Sequence, residues 1–291
     1  MTKTLRIIYI VSDGRSGSTL LESILNNSEQ VISVGECFRF WERFYRNETI
    51  CGCSLKIAEC ELWAKVDNCL AAEFKDYSPR EVEGIIKKVL RYKNFHRLHE
   101  FTNTLLPLVR SFYNGIAAVS GKSIILDSSK SPSWAKLLSM IPELDVSFIH
   151  LERTLPYVAS SWKKKLLLPE FTGKEVYMPV KSNLAILRTW IRVRLLARKL
   201  RHYDYLFVRY EDLCKHPDQL LHRIKQFLEI DLPSDGIYYY RPSHAIAGNP
   251  MRLAGKAEIV IKPNSKTRQD NLNRLEFYFF YFVQGLANVI I

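Results

Sequence analysis

The sequence predicts an α/β protein: one doubly wound domain, with helices flanking a central parallel sheet. Three observations predict it. Four aliphatic runs each end in a polar cluster and then pass into a helix-like segment. The first of those clusters is glycine-rich and opens directly onto helical spacing. No linker, internal repeat or low-complexity stretch divides the 291 residues, 47% apolar and 25% charged, so they can bury one large core and are neither disordered nor fibrous.

Leu5 to Val11 is aliphatic and β-branched apart from Arg6 and Tyr9, which predicts a buried strand. Ser12-Asp13-Gly14-Arg15-Ser16-Gly17 follows, then Thr19-Leu20-Leu21 and Ile24-Leu25 at helical spacing. Val31 to Val34 reads as a short strand ending at Gly35-Glu36. Ser123 to Leu126 is a buried strand that ends in Asp127-Ser128-Ser129-Lys130, with Pro132 placed to open a helix carrying Trp134 and Leu137-Leu138. Val146 to Leu151 is the next strand and runs through Glu152-Arg153 into a helix near Pro156. Tyr205 to Val208 is the last, ending at Arg209-Tyr210-Glu211-Asp212, with a helix from Gln219 to Leu228 behind it. Between these lie a largely helical insertion at about residues 69–114 and a basic helix from Ser182 to Arg201. The polar clusters sit at the carboxyl ends of the strands, where doubly wound sheets bind their ligands.

The 42 basic and 30 acidic side chains leave a charge of +12 and a pI near 9.4, which points to an anionic partner. Charge alone leaves nucleic acid, an acidic membrane face, a phosphorylated cosubstrate and a polyanionic acceptor open. Arg192, Arg194, Arg198, Lys199 and Arg201 form either a solvated helix face or a surface for an anionic acceptor or lipid. The opening segment has no signal-peptide apolar region or cleavage site, so a cytoplasmic location is expected. The tail, Phe277 to Ile291, is interrupted by Gln284 and Asn288 and falls short of the roughly 20 residues a spanning helix needs. It reads as a buried or docking helix, with peripheral contact to the inner membrane face as the second reading.

Six cysteines, Cys37, Cys51, Cys53, Cys60, Cys69 and Cys214, are too few for a disulfide scaffold. Cys51-Gly52-Cys53 with Cys60 would suit a local staple or a metal site. Zinc, however, wants a fourth ligand, and no His lies between Cys37 and Cys69, so the expectation is a structural cluster with no metal.

Glycines in the first loop let backbone N–H groups close around phosphate oxygens at a helix N-terminus, where the dipole favours negative charge. Against the NTPase pattern G-x-x-x-x-G-K-[ST], only Gly17 and Thr19 match, and Ser18 stands where the lysine belongs. An anion cradle fits; ATP or GTP hydrolysis does not. A P-loop nucleotide kinase would need that lysine and a magnesium-binding acid, and a nucleic-acid-binding protein would use the basic helix and lose affinity steeply with salt. Both are kept as alternatives.

Gly14-Arg15-Ser16-Gly17-Ser18-Thr19-Leu20-Leu21 resembles the 5′-phosphosulfate loop of sulfotransferases that use 3′-phosphoadenosine-5′-phosphosulfate (PAPS). Phe148 to Arg153, continuing through Val158-Ala159-Ser160-Ser161-Trp162, resembles the same family's 3′-phosphate motif, in which an arginine and a serine eight positions later grip the ribose phosphate. Here these are Arg153 and Ser161. The family's Asp-Pro after the arginine is replaced by Thr154-Leu155, so Thr154 is expected to cap the helix instead. Val208-Arg209-Tyr210-Glu211-Asp212-Leu213 resembles a structural segment of the family. Ser243-His244 through Gly248-Asn249-Pro250-Met251-Arg252 and the Cys51-Gly52-Cys53, Cys60, Trp63 pattern resemble bacterial members.

The resemblance implies a P-loop-like sulfotransferase fold over residues 1–291 and a loop at about 241–265 folding over the nucleotide. PAPS would be the cosubstrate and 3′-phosphoadenosine-5′-phosphate (PAP) the product; no metal is needed and no nucleic-acid partner is expected. Gly14, Arg15, Ser16, Gly17, Ser18, Thr19, Arg153 and Ser161 would bind the nucleotide, with Arg252 on the 3′-phosphate or adenine edge. Glu36 matches the general base of tyrosylprotein sulfotransferases, Lys130 the lysine near the bridging oxygen, and Arg15 suits the phosphosulfate as a planar fork. Their bland counterparts are a solvated loop carboxylate and an ordinary surface lysine. His244 is a second candidate base, although a lone His is more often structural, and Trp162 reads as core. The acceptor, a hydroxyl on a carbohydrate, glycolipid, small metabolite or peptide, would be chosen by residues 38–115 and 163–185.

Overall fold

The computed structural model describes residues 4–74, 78–253, 255, 257–261 and 271–290. Of the loop expected at 241–265, residues 254, 256 and 262–265 lie outside the described residues, as does Ile291 of the tail.

Five parallel strands form the sheet in the order β2-β3-β1-β4-β5: β1 Leu5–Ser12, β2 Val31–Gly35, β3 Ile124–Lys130, β4 Leu144–Glu152 and β5 Tyr205–Arg209. Strand side chains alternate between faces, so β1 serves two cores. Ile7, Tyr9 and Val11 join one cluster, and Ile8 and Ile10 join the other. A strand buried on both faces must be apolar almost throughout, which is why Leu5 to Val11 shows no polar alternation.

The first face is covered by α2 (Phe40–Arg46), α3 (Glu61–Glu73), α4 (Pro79–Val89), α5 (Thr102–Ser120) and α6 (Pro132–Leu138), centred on Phe40, Trp41, Trp63 and Phe112. The second is covered by α1 (Ser18–Leu25), α9 (Tyr210–Lys215) and α10 (Pro217–Leu228). A third, smaller cluster joins α7 (Leu155–Lys163), α8 (Asn183–Arg198) and α11 (Arg274–Ile290) through Leu155, Ala159, Ile186, Trp190, Phe280 and Ala287. Pro79, Pro132 and Pro217 stand in the first turns of their helices, where a missing N–H costs nothing, and the Ser131 hydroxyl accepts from Trp134 N at 3.4 Å.

Two expectations are revised. The basic helix is not a uniformly solvated face, because Arg194 is buried, pairs with Glu152 at 3.2 Å and donates to Asn288 Oδ1 at 2.7 Å. The terminal helix is only half docked. Phe280, Gln284 and Ala287 are buried, while Leu275, Tyr278, Tyr281, Phe282 and Val289 face outward, Leu275 84% and Val289 87% exposed. No helix of the described residues is long and apolar enough to cross a membrane.

Candidate active site

The polar clusters converge at the carboxyl edge of the sheet around the loop that follows β1. Gly17 is the N-cap of α1 with φ +93°, and a Cβ there would lie 2.2 Å from the Tyr210 ring, so only glycine fits both the conformation and the space. Asp13 Oδ1 accepts from Gly14 N at 2.7 Å and the Ser16 hydroxyl donates to Asp13 O at 2.7 Å, closing the turn on itself. From outside, Trp162 Nε1 donates to Gly14 O at 3.1 Å and Arg153 Nη1 to Arg15 O at 3.1 Å. The Gly14 and Arg15 carbonyls are held from outside, and the N-terminus of α1, whose first intrahelical donors are Leu20 N and Leu21 N to Gly17 O at 3.0 and 3.2 Å, opens at the loop's mouth.

Glu36 and Lys130 are placed by irregularities in two neighbouring strands. The β1–β3 register passes from Tyr9↔Asp127 to Val11↔Lys130, and the β2–β3 register from Ser33↔Leu126 to Gly35↔Asp127, so β3 and β2 each carry one extra residue near their carboxyl ends. A bulge bends a strand and re-aims the next side chain. Lys130 takes φ +69° and Gly35 φ +67°; a Cβ at Gly35 would meet Ala245 Cβ and Ala247 O at 2.8 Å. The result is an ion pair, Lys130 Nζ to Glu36 Oε1 at 2.6 Å, with Arg39 Nε on Glu36 Oε2 at 2.8 Å. Burial alone would raise the Glu36 pKa, but Lys130 and Arg39 together pull it down to about 2. Below this pair, Tyr113 donates to the buried Asp127 carboxylate at 2.5 Å, and the Glu22 carboxylate accepts from the Ser33 and Ser128 hydroxyls, tying α1 to β2 and β3.

Arg153 follows β4 directly and is buried, its guanidinium 4.6 Å from the Tyr210 ring centroid. Ser161 lies two residues before the end of α7 and is partly exposed. Thr154 occupies the N-cap position without making a side-chain cap. The start of α7 is served from elsewhere: Gln284 Oε1 accepts from Leu155 N at 2.8 Å and Glu211 Oε1 from Thr154 N at 3.0 Å. Arg252 is buried and donates to the carbonyls of Ala245 at 2.8 Å and Ile50 at 3.1 Å, which makes it a brace between two loops. Next to it, Asn249 N donates to Thr19 Oγ1 at 3.3 Å, so the 248–252 segment rests on the first turn of α1.

A sequence model described as "Sulfotransferase family" matches residues 8–234. The chain belongs to the sulfotransferase family. No curated protein matches it. Among solved structures, the sulfotransferase domain of the curacin biosynthetic pathway is similar at 16% identity and a TM-score of 0.47, covering 97% of this chain and 98% of that one. The sulfotransferase domain of the Synechococcus PCC 7002 olefin synthase gives 17% and 0.48 over 98% and 96%. Mouse sulfotransferase SULT7A1 complexed with PAP gives 11% and 0.36 over 79% and 61%.

In this sulfotransferase the residues that sequence reasoning missed are those supporting the ones it found. Arg39, one helical turn beyond Glu36, was legible in spacing alone; Tyr210, Gln284 and Lys181 were not. Trp162, expected in the core, is partly buried beside the loop, with Lys181 Nζ 3.5 Å and the Arg15 guanidinium 5.5 Å from its ring centroid. Burial pushes the Asp13 carboxyl up to about 6 despite Lys181 and Lys130 nearby. Burial and then Asp13 push Tyr92, from the helical insertion, up to about 12.

The cysteine cluster gains a neighbour from far along the chain. His244, which is 184 residues from Cys60, brings its Nδ1 to within 3.2 Å of Cys60 Sγ, so Cys51, Cys53, Cys60 and His244 form one cluster.

Proposed function

We propose that this sulfotransferase moves a sulfuryl group from PAPS to a hydroxyl of a carbohydrate, glycolipid, small metabolite or peptide. The observation carrying the reading is the Lys130–Glu36 ion pair of 2.6 Å, built on two bulged adjacent strands beside an anion-binding loop. Bound PAPS would supply an activated sulfuryl group on a phosphate that leaves with the electron pair of the broken S–O bond. The Gly14 turn, the amides of Arg15 to Thr19 and the Arg15 guanidinium are assigned to the phosphosulfate, and Arg153 and Ser161 to the 3′-phosphate. The described part of the 241–265 loop is assigned as the cover, and Arg252, which braces it through Ala245 O and Ile50 O, is assigned to the 3′-phosphate or adenine edge.

Glu36 takes the acceptor's hydroxyl proton as the new O–S bond forms. At about 2 its pKa is too low for an effective base while Lys130 holds it. When Lys130 Nζ turns from Glu36 toward the phosphosulfate oxygens, the carboxylate loses one of its two cations and gains basicity. The same ammonium then meets the charge gathering on the leaving phosphate. The base is thus armed only when the donor site is filled. Tyr92 and the 38–115 segment are assigned to the acceptor side.

Calorimetry with PAP, 5′-AMP and ATP·Mg²⁺ in parallel tests the donor half. Binding of PAP that depends on the 3′-phosphate is expected, and Arg153→Lys, which keeps the charge but loses the fork, should weaken it by about 10- to 100-fold. Preference for ATP·Mg²⁺, or no nucleotide binding, overturns the reading. Peripheral contact with an anionic lipid surface is likewise proposed, supported by the outward aromatic face of α11 and the net charge of +12.

A further inference from the structure

We infer that Cys51, Cys53, Cys60 and His244 form a structural zinc site that pins the 243–252 segment to the 51–60 loop behind the catalytic glutamate. One ligand atom from each of the four lies within 4.8 Å of all the others. In a tetrahedral S₃N zinc site the ligand atoms are ~3.5–3.8 Å apart, so small side-chain shifts close this one. The donor set contains no carboxylate and is complete at four, which is the composition of a closed structural site.

The backbone around the cluster is arranged for convergence. Cys51 N donates to Leu55 O at 2.7 Å and Ser54 N to Cys51 O at 2.9 Å, with Ser54 at φ +72°, a tight knuckle that turns the first two thiols to one side. A Cβ at Gly52 would lie 2.5 Å from Ser243 Oγ and 2.7 Å from Ser243 O, so the knuckle approaches the His244 segment only because this residue has no side chain. Gly52 N donates to Ala245 O at 3.0 Å, and Trp63 Nε1 to His244 O at 3.0 Å, fixing the histidine from both sides. Such outer hydrogen bonds orient metal ligands. A cavity of about 420 Å³, lined in part by Ser33, Glu61, Lys65 and His244, lies beside the histidine.

Charge is balanced as well. Binding releases three thiol protons and leaves three thiolates, a neutral imidazole and one Zn²⁺, a net charge of −1. The buried Arg252 guanidinium, donating to Ala245 O and Ile50 O, holds carbonyls adjacent in sequence to His244 and Cys51, and its Nε has no hydrogen-bond partner among the described residues. It is the counter-charge beside the site. The clamp reaches the chemistry through two strand-like contacts, Ile246 N to Val34 O at 3.1 Å and Glu36 N to Ala247 O at 3.4 Å. Losing the metal therefore loosens the segment that carries the amide of Glu36.

The test uses the full chain without a histidine tag, purified with reductant and without chelator. Elemental analysis should find one zinc per chain, released by an organomercurial that caps thiolates. Replacement by Co²⁺ should give thiolate charge-transfer bands and the intense d–d bands of a tetrahedral site. Cys60→Ser and His244→Ala should each lose stoichiometric zinc, while Cys69→Ser and Cys214→Ser retain it. If either ligand variant fails to fold, the wild-type Co²⁺ spectrum still decides. Wild-type protein without zinc and without the Co²⁺ bands, its three cysteines freely alkylated or two of them disulfide-linked, overturns the inference. Metal content is read without turnover, so its failure leaves the sulfuryl-transfer reading untouched.

Discussion

Glu36 carries an opposite charge on each of its two oxygens and is only 17% exposed, so its ionisation is tied to folding. Its folded pKa, about 2, lies below the ordinary 4.5. The stabilisation is therefore complete above the ordinary value and fades as pH falls toward the folded one. Taking the wild type from about pH 5 to about pH 3 should cost about 2 kcal/mol of unfolding free energy through this group, a loss that Glu36→Gln escapes in urea titrations. The same variant should bind PAP normally and lose turnover by roughly 10²–10⁴-fold. Normal turnover would remove Glu36 as the base. Gly35 tests its placement. Alanine there faces a left-handed φ and two contacts at 2.8 Å, and should cost roughly 1–3 kcal/mol in thermal or denaturant unfolding.

At the scale of elements, the helix that presents Ser161 starts with a cap supplied from the other end of the chain. Gln284 lies on α11, is buried, and accepts from Leu155 N on α7. Gln284→Ala leaves that amide without an acceptor and should lower stability by about 1–2 kcal/mol; it should weaken PAP binding as well, since α7 follows Arg153 directly. Unchanged PAP affinity would uncouple α11 from the donor site. The outward face of the same helix makes a separate prediction. The protein should co-sediment with anionic vesicles and less with neutral ones, and Tyr281→Ser with Phe282→Ser should reduce that binding without moving PAP affinity.

For the whole molecule, a net charge of +12 should act on encounter with an anionic nucleotide. PAP affinity should fall severalfold as ionic strength rises about tenfold, since exposed charges are screened while the buried Arg153 is not. A far steeper loss, unaffected by Arg153→Lys, would mean that the nucleotide is held by surface charge rather than by the assigned grip.

The α/β class, the strands and the glycine loop were legible in the sequence because period and turn chemistry are local. Leu5 to Val11 is apolar on both faces, and Gly17 needs a conformation that few other residues adopt. Glu36, Lys130 and Arg153 were legible by position at strand ends. What the sequence could not carry was distance between segments far apart in the chain. Two strand bulges, rather than any motif, set Lys130 against Glu36 and so depress its pKa. Thr154 stands at the N-cap position and makes no side-chain cap, and the first amide of its helix is met instead by Gln284, 129 residues from Leu155. Arg252 also braces two loops, through carbonyls that no motif names. Three cysteines lacked a fourth partner until packing brought His244 to them. Hydrophobic period and backbone preference act over a few residues and so are written in order along the chain. Ion pairs, caps and ligand sets depend on which surfaces meet, and here only the packed tertiary structure decided that.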